Sequence, residues 1–214
     1  MRFKNRDEAG RQLAVALSKY KGRDAIVYAM PRGGVPLGVV VAESLSAPLD
    51  LVIVRKVGHP LFPEYAVCAV TEAGEKLCNE EEARTLGKEQ LESLLAAEVS
   101  EAARRRMTYL EGRKRLSPEG KIAIVIDDGV ATGLTLRLAL KEVKKGKPKS
   151  LIAAVPVISK EIAEVVKKEA DELVALDIPD IYLGAVGAYY DEFPQLKDEE
   201  VKNLLQVVKT ENKK

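Results

Sequence analysis

Cysteine and histidine are scarce in this 214-residue sequence, which has two cysteines, one histidine and no tryptophan. Cys68 and Cys78 are too few for a disulfide framework or a structural zinc site. A mechanism that pairs a serine or cysteine nucleophile with an imidazole would have to use His59 alone. His59 stands between Gly58 and Pro60 with no obvious nucleophile beside it. We therefore expect it to have a structural role or to lie at the rim of a site.

An excess of charge of one sign is also missing, because 34 Lys and Arg residues face 33 Asp and Glu residues. This balance argues against a nucleic-acid partner, which would be bound mainly by neutralising phosphates. No apolar run reaches the roughly 18 residues that cross a bilayer, and the polar residues 1–8 do not resemble a signal peptide. The sequence predicts a cytoplasmic protein with no membrane partner, in which any anion is bound by a local site.

Short apolar runs alternate along the chain with segments of helical periodicity, a pattern typical of α/β folds. Strands that read as buried on both faces and are separated by helices form parallel sheets. We predict a mainly parallel, twisted sheet flanked by helices in a single domain over 1–214. The predicted strands are 24–30, 49–55, 122–126, 151–156 and 172–176, and the helices are 6–20, 36–46, 135–146 and one capped by Ser159.

An insertion at about 57–118 interrupts this alternation. Residues 65–71 and 75–78 are predicted to form a β-hairpin, and 88–115 one long charged helix whose Arg104–Arg106 run is solvated. A two-residue turn at Ala73-Gly74 would place Cys78 opposite Ala69 and leave Cys68 on the other face. The sequence thus argues against a disulfide.

The C-terminal part differs in composition, since glycine, proline and aromatic residues are concentrated at about 177–194. We expect this segment to form a hood over the carboxyl edge of the sheet. Aromatic rings there either stack on a planar ligand or plug the loop against the core. The candidates for the acceptor are Tyr182, Tyr189 and Tyr190. Asp198 is then expected to cap a terminal helix.

The most informative motif follows strand 122–126, where Asp127 and Asp128 lead into a short loop that opens a helix. Ligands of open α/β sheets bind at the carboxyl ends of strands, and the amides that begin a helix bind phosphate. The loop therefore predicts a phosphate monoester site, with the two carboxylates facing the group that carries the phosphate. The alternative is a plain turn with capping acids. The predicted phosphate-binding residues are Val130, Ala131, Thr132, Gly133, Leu134 and Thr135.

A second glycine-rich loop, Met30-Pro31-Arg32-Gly33-Gly34, follows the first predicted strand. Glycines let a backbone approach an anion closely, and an arginine adds charge-assisted hydrogen bonds. Neither loop has the pattern of a nucleotide-binding P-loop or of a dinucleotide fingerprint. By itself the Arg-Gly-Gly sequence would indicate an ordinary turn.

Acids that precede a phosphate loop resemble the 13-residue signature of type I phosphoribosyltransferases. In that family the acids hold the ribose hydroxyls of 5-phosphoribosyl diphosphate, and the loop after them holds its 5-phosphate. The resemblance implies that Arg32, Gly33, Gly34 and Lys56 bind the diphosphate. It also implies that Asp127 and Asp128 are catalytic and bind Mg²⁺, directly or through water. It further implies a small-molecule acceptor, a role in nucleotide metabolism and a homodimer. More narrowly, the Arg-Gly-Gly loop, the inserted hairpin, the acid-pair loop and the tail at 185–193 resemble a group of predicted phosphoribosyltransferases whose substrate is unassigned.

Ala131 departs from the hypoxanthine-type members, which carry an aspartate at this place that exchanges a proton with the purine. The departure favours adenine-like or pyrimidine-like bases, or a non-base amine, over hypoxanthine and guanine. A hairpin and a long helix also replace the mobile loop that is usual in the family.

Two other functions remain open from the sequence. One is a sensor that binds 5-phosphoribosyl diphosphate or a nucleotide without turnover, since a fold does not guarantee an activity. The other is a phosphatase or nucleotide hydrolase that uses the acid pair with a metal, although the sequence offers no third set of ligands.

Overall fold

A central sheet of five parallel strands organises the chain in the computed structural model, which describes residues 1–211 except the side chains of residues 63, 64 and 207–211. The strands are β1 (Ala25–Ala29), β2 (Leu49–Leu51), β6 (Ile122–Ile126), β7 (Ser150–Val157) and β8 (Glu172–Asp177). Their order is β2-β1-β6-β7-β8, and each neighbouring pair is parallel. The order changes direction at β1 and β6, so the loops after these two strands lie side by side.

Five helices accompany this sheet: α1 (Arg6–Ala16), α2 (Gly34–Leu45), α5 (Leu134–Lys144), α6 (Lys160–Glu169) and α7 (Asp198–Glu211). Alternate strand residues face opposite sides of the sheet. Val27 and Ile124 pack in a core with α1 and α2, whereas Tyr28 and Val125 pack in a second core with α5 and α6. The predicted α/β fold with a parallel sheet flanked by helices is confirmed.

The predicted strand 49–55 is wrong as one element, because it divides between two sheets. Leu49–Leu51 pairs with β1, and the chain then leaves the sheet and starts β3 (Val54–His59). β3 turns at Pro60 and pairs with the antiparallel strand β4 (Phe62–Thr71). Arg55 and Lys56 therefore lie on β3 in the second sheet, not at the end of β2.

The insertion comprises β3, β4 and β5 (Lys76–Cys78), the short helix α3 (Glu80–Thr85) and the long helix α4 (Lys88–Leu110). The expectation that the Arg104–Arg106 run of α4 is solvated is wrong for Arg105, whose side chain is only 7 % exposed. Ala102, Arg105 and Tyr109 recur at helical intervals on one buried face. Ala102 and Tyr109 pack in a core with α2 and α7, and the helix as a whole also contacts β3 and β4.

Cys68 and Cys78 form a disulfide between directly paired positions of β4 and β5, which contradicts the sequence-based expectation. The hairpin turn has three residues, since the Thr71 amide bonds to the Glu75 carbonyl, and Gly74 adopts a φ of 81°. A two-residue turn of the favoured type would need positive φ at Ala73 as well. The longer turn shifts the register by one residue and brings Cys78 opposite Cys68.

Within the described residues, none of the helices combines the length and the apolar character that a membrane crossing requires.

We predict that reduction of the Cys68–Cys78 disulfide lowers the free energy of unfolding by about 2 kcal/mol, because the cross-link restricts the unfolded chain. Urea denaturation with and without dithiothreitol measures the difference. The Cys68→Ser/Cys78→Ser variant should be insensitive to the reductant. Alkylation of both thiols in denatured, unreduced protein would contradict the disulfide.

Candidate active site

A cavity of about 370 Å³ opens at the carboxyl edge of the central sheet, where the loops after β1 and β6 meet. Its wall combines these two loops with parts of α1, β3, α4 and the C-terminal segment, as topology predicts for a site at the point where strand order reverses. The lining residues are Arg6, Met30, Pro31, Arg32, Gly33, Val54, Arg55, Lys56, Arg105, Asp127, Asp128, Thr135, Val186, Phe193, Gln195 and Leu196.

Asp127 and Asp128 occupy the base of this cavity because β6 ends immediately before them. The Asp128 amide donates to Oδ1 of Asp127 at 2.9 Å. Burial and the neighbouring carboxylate raise the pKa of Asp127 well above its usual range. Burial also raises the pKa of Asp128, although the Arg6 guanidinium opposes this shift. Both shifts disfavour the charged forms, as expected for two carboxyl groups brought together in a poorly solvated place.

The loop after β1 touches the acid pair through its glycines. A Cβ added to Gly33 would lie 2.0 Å from Oδ2 of Asp128, and one added to Gly34 would lie 2.6 Å from the Ile126 carbonyl oxygen. A larger residue at position 33 would displace the Asp128 carboxylate, and one at position 34 would require movement of the backbone. The Pro31–Arg32 peptide beside them is cis. Gly33 lines the cavity, whereas Gly34 packs beneath it as the first residue of α2.

Arg6, at the start of α1, connects the acid pair with the C-terminal hood. Its Nε donates to Oδ2 of Asp128 at 2.8 Å, and its NH1 donates to the Pro194 carbonyl at 2.8 Å. The guanidinium carbon lies 3.7 Å from the centre of the Phe193 ring, a cation–π contact. With 11 % exposure of the Arg6 side chain, this pair is largely removed from solvent.

Three further arginines of the cavity are each held by a carboxylate outside it. Arg32 pairs with Asp198 at 3.4 Å, Arg55 with Glu98 at 2.7 Å, and Arg105 with Glu101 at 2.8 Å. Lys56 adds another cationic residue from β3. The cavity therefore presents a fixed set of guanidinium groups suited to phosphate oxygens.

The predicted phosphate loop begins where Val130 bonds to the Val157 carbonyl and ends in the first turn of α5. Gly133 adopts a φ of 77° immediately before the helix. Thr135 lines the main cavity. Thr132 and Leu134 line a second cavity of about 240 Å³ between this loop and the β4–β5 hairpin. Thr135 therefore lines the same cavity as the acid pair, whereas Thr132 lines a different one.

The hood aromatics are mostly turned into the core. Tyr189 and Tyr190 are each 3 % exposed and do not line the cavity, and the Tyr190 hydroxyl donates to the Asp128 carbonyl at 2.6 Å. Tyr182 packs on Tyr189, and its buried hydroxyl has no hydrogen-bond partner within the described part of the chain. Phe193 is the hood aromatic that reaches the cavity wall. Contact of Tyr182, Tyr189 or Tyr190 with an acceptor stays a prediction.

Sequence reasoning missed Arg6 and Arg105 as cavity residues. Arg6 occupies a first helical turn, where acidic residues are favoured, so a cation there was a weak signal. Arg105 shares a helical face with the apolar residues Ala102 and Tyr109, which indicated burial more directly.

Among the side chains that the structure describes, no cluster of three or more His, Cys, Asp and Glu residues could hold a metal ion. Asp127 and Asp128 still supply carboxylate oxygens, the donors that Mg²⁺ prefers. Mg²⁺ commonly uses one or two protein carboxylates and completes its coordination with substrate phosphates and water. The acid pair therefore fits a Mg²⁺ ion that is shared with a phosphorylated ligand.

The family model for the phosphoribosyl transferase domain matches residues 4–192. Two Mycobacterium tuberculosis sequences, from strains CDC 1551 and H37Rv, are named putative phosphoribosyl transferases and are each 37 % identical over 201 residues. The match covers 93 % of this chain but 45 % of each relative, so the chain spans about half the length of these proteins.

Solved structures give a similar result. The crystal structure of the protein TT1426 from Thermus thermophilus is 39 % identical with a TM-score of 0.76, covering 96 % of this chain and 98 % of that one. The AQ2163 protein from Aquifex aeolicus is 10 % identical with a TM-score of 0.51, covering 81 % and 74 % of the two chains. The second likeness concerns the fold alone.

We predict that Arg6→Ala lowers the free energy of unfolding by about 2 kcal/mol, because Asp128 loses its partner in a poorly solvated site. Chemical denaturation at neutral pH measures the loss, and adding Asp128→Asn should restore part of it. Arg11→Ala is the matched control on the same helix. Its ion pair with Asp7 is solvent-exposed, so it should cost less than about 0.5 kcal/mol. Equal costs for the two variants would contradict the interpretation.

Proposed function

The chain belongs to the phosphoribosyl transferase family, and from this premise we propose that it transfers the phosphoribosyl group of 5-phosphoribosyl diphosphate to a nitrogenous acceptor. In this reaction the bond between the anomeric carbon and a diphosphate oxygen breaks, and a bond from that carbon to an acceptor nitrogen forms. Diphosphate leaves, and the acceptor's proton passes to solvent. The cytoplasmic location, the homodimer and the single domain over 1–214 remain predictions.

The observation that carries this proposal is the direct contact between the Gly33 backbone and the Asp128 carboxylate. This contact joins two parts of the site. One is the glycine loop with Arg32, which is suited to a diphosphate, and the other is the acid pair, which is suited to ribose hydroxyls. A ligand that carries both groups on adjacent carbons would span the two loops within one cavity. A plain turn with capping acids does not require a cavity with several cationic side chains.

The proposed roles follow from charge. The Asp127 and Asp128 carboxylates accept hydrogen bonds from the ribose hydroxyls and oppose the positive charge that develops at the anomeric carbon. Arg32, Lys56 and the amide of Gly33 stabilise the departing diphosphate. The Gly34 amide donates to the Met30 carbonyl at 2.9 Å and would have to leave this partner to take part. Held in place before the ligand arrives, these groups would contribute to rate mainly through alignment and electrostatics.

We propose that Asp127 and Asp128 also hold Mg²⁺, directly or through water. When bound, this ion neutralises charge on the diphosphate and makes it a better leaving group. The 5-phosphate is assigned to the amides and hydroxyls of residues 130–135. Thr135 supports this assignment because it lines the same cavity as the acids.

The acceptor is proposed to need no proton exchange with the residue at position 131, where alanine offers no acid or base. Adenine-like or pyrimidine-like bases and non-base amines are therefore expected to outrank hypoxanthine and guanine. Phe193 is the aromatic residue at the cavity wall, but its ring is already covered by Arg6. An acceptor would stack on the Arg6 guanidinium or displace it.

A second candidate is a sensor that binds the same ligand without turnover. The specific observation in its favour is that Arg6 already pairs with Asp128 and covers Phe193. Release of diphosphate distinguishes the two candidates.

The test combines the protein, Mg²⁺ and 5-phosphoribosyl diphosphate with adenine, uracil, hypoxanthine, guanine or a simple amine, and measures diphosphate release. We expect saturable release of diphosphate with at least one acceptor. The rate of release should fall at least about 100-fold in Asp127→Asn, because this variant loses a carboxylate that stabilises the positive charge of the transition state. Binding without release for any acceptor would favour the sensor, and absence of binding would contradict both candidates.

Asp171→Asn is the matched control for Asp127→Asn. Asp171 also accepts a backbone hydrogen bond, from the Leu151 amide at 2.7 Å, but it lies at the amino edge of the sheet. Its replacement should leave diphosphate release unchanged. A comparable loss in both variants would show that Asp127 acts through stability.

A further inference from the structure

Arg32 is anchored by a residue that lies beyond the matched phosphoribosyl transferase domain. NH1 of Arg32 lies 3.4 Å from Oδ1 of Asp198, the first residue of α7, whereas the family model ends at residue 192. The Arg32 and Asp198 side chains are 33 % and 27 % exposed, and Arg32 lines the cavity whereas Asp198 lies outside its lining. The terminal helix therefore contacts the loop to which diphosphate binding is assigned.

Asp198 is itself held firmly from the insertion. The Tyr109 hydroxyl donates to its Oδ1 at 2.6 Å, and NH2 of Arg104 donates to its Oδ2 at 2.7 Å. Tyr109 is buried in the core that α4 shares with α7. Burial alone would raise the pKa of Asp198, but the hydrogen bonds from Tyr109 and Arg104 lower it to about 2, so the carboxylate is ionised at neutral pH.

An arginine with a free side chain samples many rotamers, and holding it in one of them costs conformational entropy when it binds a ligand. A carboxylate fixed by two other donors removes much of that cost beforehand. Glu98 and Glu101 of α4 hold Arg55 and Arg105 in the same manner. Asp198 differs from them because it acts on the glycine loop itself.

We propose that Asp198 is a positioning residue for diphosphate, which fixes Arg32 at the cavity wall so that the terminal helix and the insertion helix complete the diphosphate site. The inference rests on the proposed function. It assigns to α4 and α7 a role in the site that is separate from the acid pair and from the phosphate loop.

The direction in which diphosphate affinity changes when Asp198 is replaced distinguishes a positioning role from a simple effect of charge. Removal of a negative charge beside a cationic cavity would by itself strengthen the binding of an anion. Weaker binding after Asp198→Ala would therefore come from the lost orientation of Arg32. The probe is inorganic diphosphate with Mg²⁺, measured by isothermal titration calorimetry on the full chain.

We expect Asp198→Ala to bind diphosphate about fivefold more weakly than the wild type, since Arg32 must then be ordered by the ligand. Asp198→Asn, which keeps an oxygen acceptor for Arg32, should recover part of the affinity. In an Arg32→Ala background the loss caused by Asp198→Ala should vanish, as a double-mutant cycle requires for residues that act together. Tyr109→Phe, which keeps Asp198 but removes one of its donors, should weaken binding by about twofold.

Glu172→Ala is the matched control. Glu172 accepts hydrogen bonds from Lys19 and Tyr20, both at 2.6 Å, but it lies at the amino end of β8. Its replacement should leave diphosphate affinity unchanged. If the wild type binds diphosphate and Asp198→Ala binds it equally or more tightly, this inference is overturned but the proposed function is not. Wild-type protein that binds neither diphosphate nor 5-phosphoribosyl diphosphate would overturn the proposed function as well.

Discussion

Two adjacent carboxylates in a poorly solvated place, Asp127 and Asp128, set the main constraint on this structure. Their charges repel, and water cannot fully screen them, so the surrounding chain must supply compensation. Arg6 provides a cation, and the Asp128 amide donates to Asp127. The hood depends on the same place, since Tyr190 bonds to the Asp128 carbonyl and Phe193 packs under Arg6. Loss of the Asp128 carboxylate would thus affect the N-terminal helix directly and the hood through Arg6, which also bonds to Pro194 and contacts Phe193.

The insertion forms a fixed wall of the cavity. Its long helix buries Tyr109 and Arg105, and its acids hold arginines that line the cavity. The disulfide further restrains the hairpin that lies against α5. A site built in this way has much of its cationic side prearranged, which reduces the entropy lost when an anion binds.

Some features of the candidate site were predictable because they depend on local sequence. β6 is an apolar run of five residues, and the acids and the glycine-containing loop follow it directly. The capping side chain of Ser159 identifies the start of α6, and its hydroxyl accepts the expected bond from the Ile162 amide. Asn5 caps α1 in the same way, since its side chain accepts from the Glu8 amide. In contrast, the end of β2 was not predictable, since 51–54 is apolar throughout and the division between two sheets depends on which strands are available for pairing.

The sequence by itself determined the α/β order, the two loops at the carboxyl edge and the resemblance that they carry, because periodicity and turn chemistry act over a few residues. Only the tertiary structure decided that Arg6 contacts Asp128 and that Asp198 contacts Arg32. The first pair is separated by 122 positions in the sequence and the second by 166. It also decided the disulfide, since one residue in a turn reverses the faces of a whole strand. Such contacts depend on how separate elements pack, and local sequence patterns do not encode that packing.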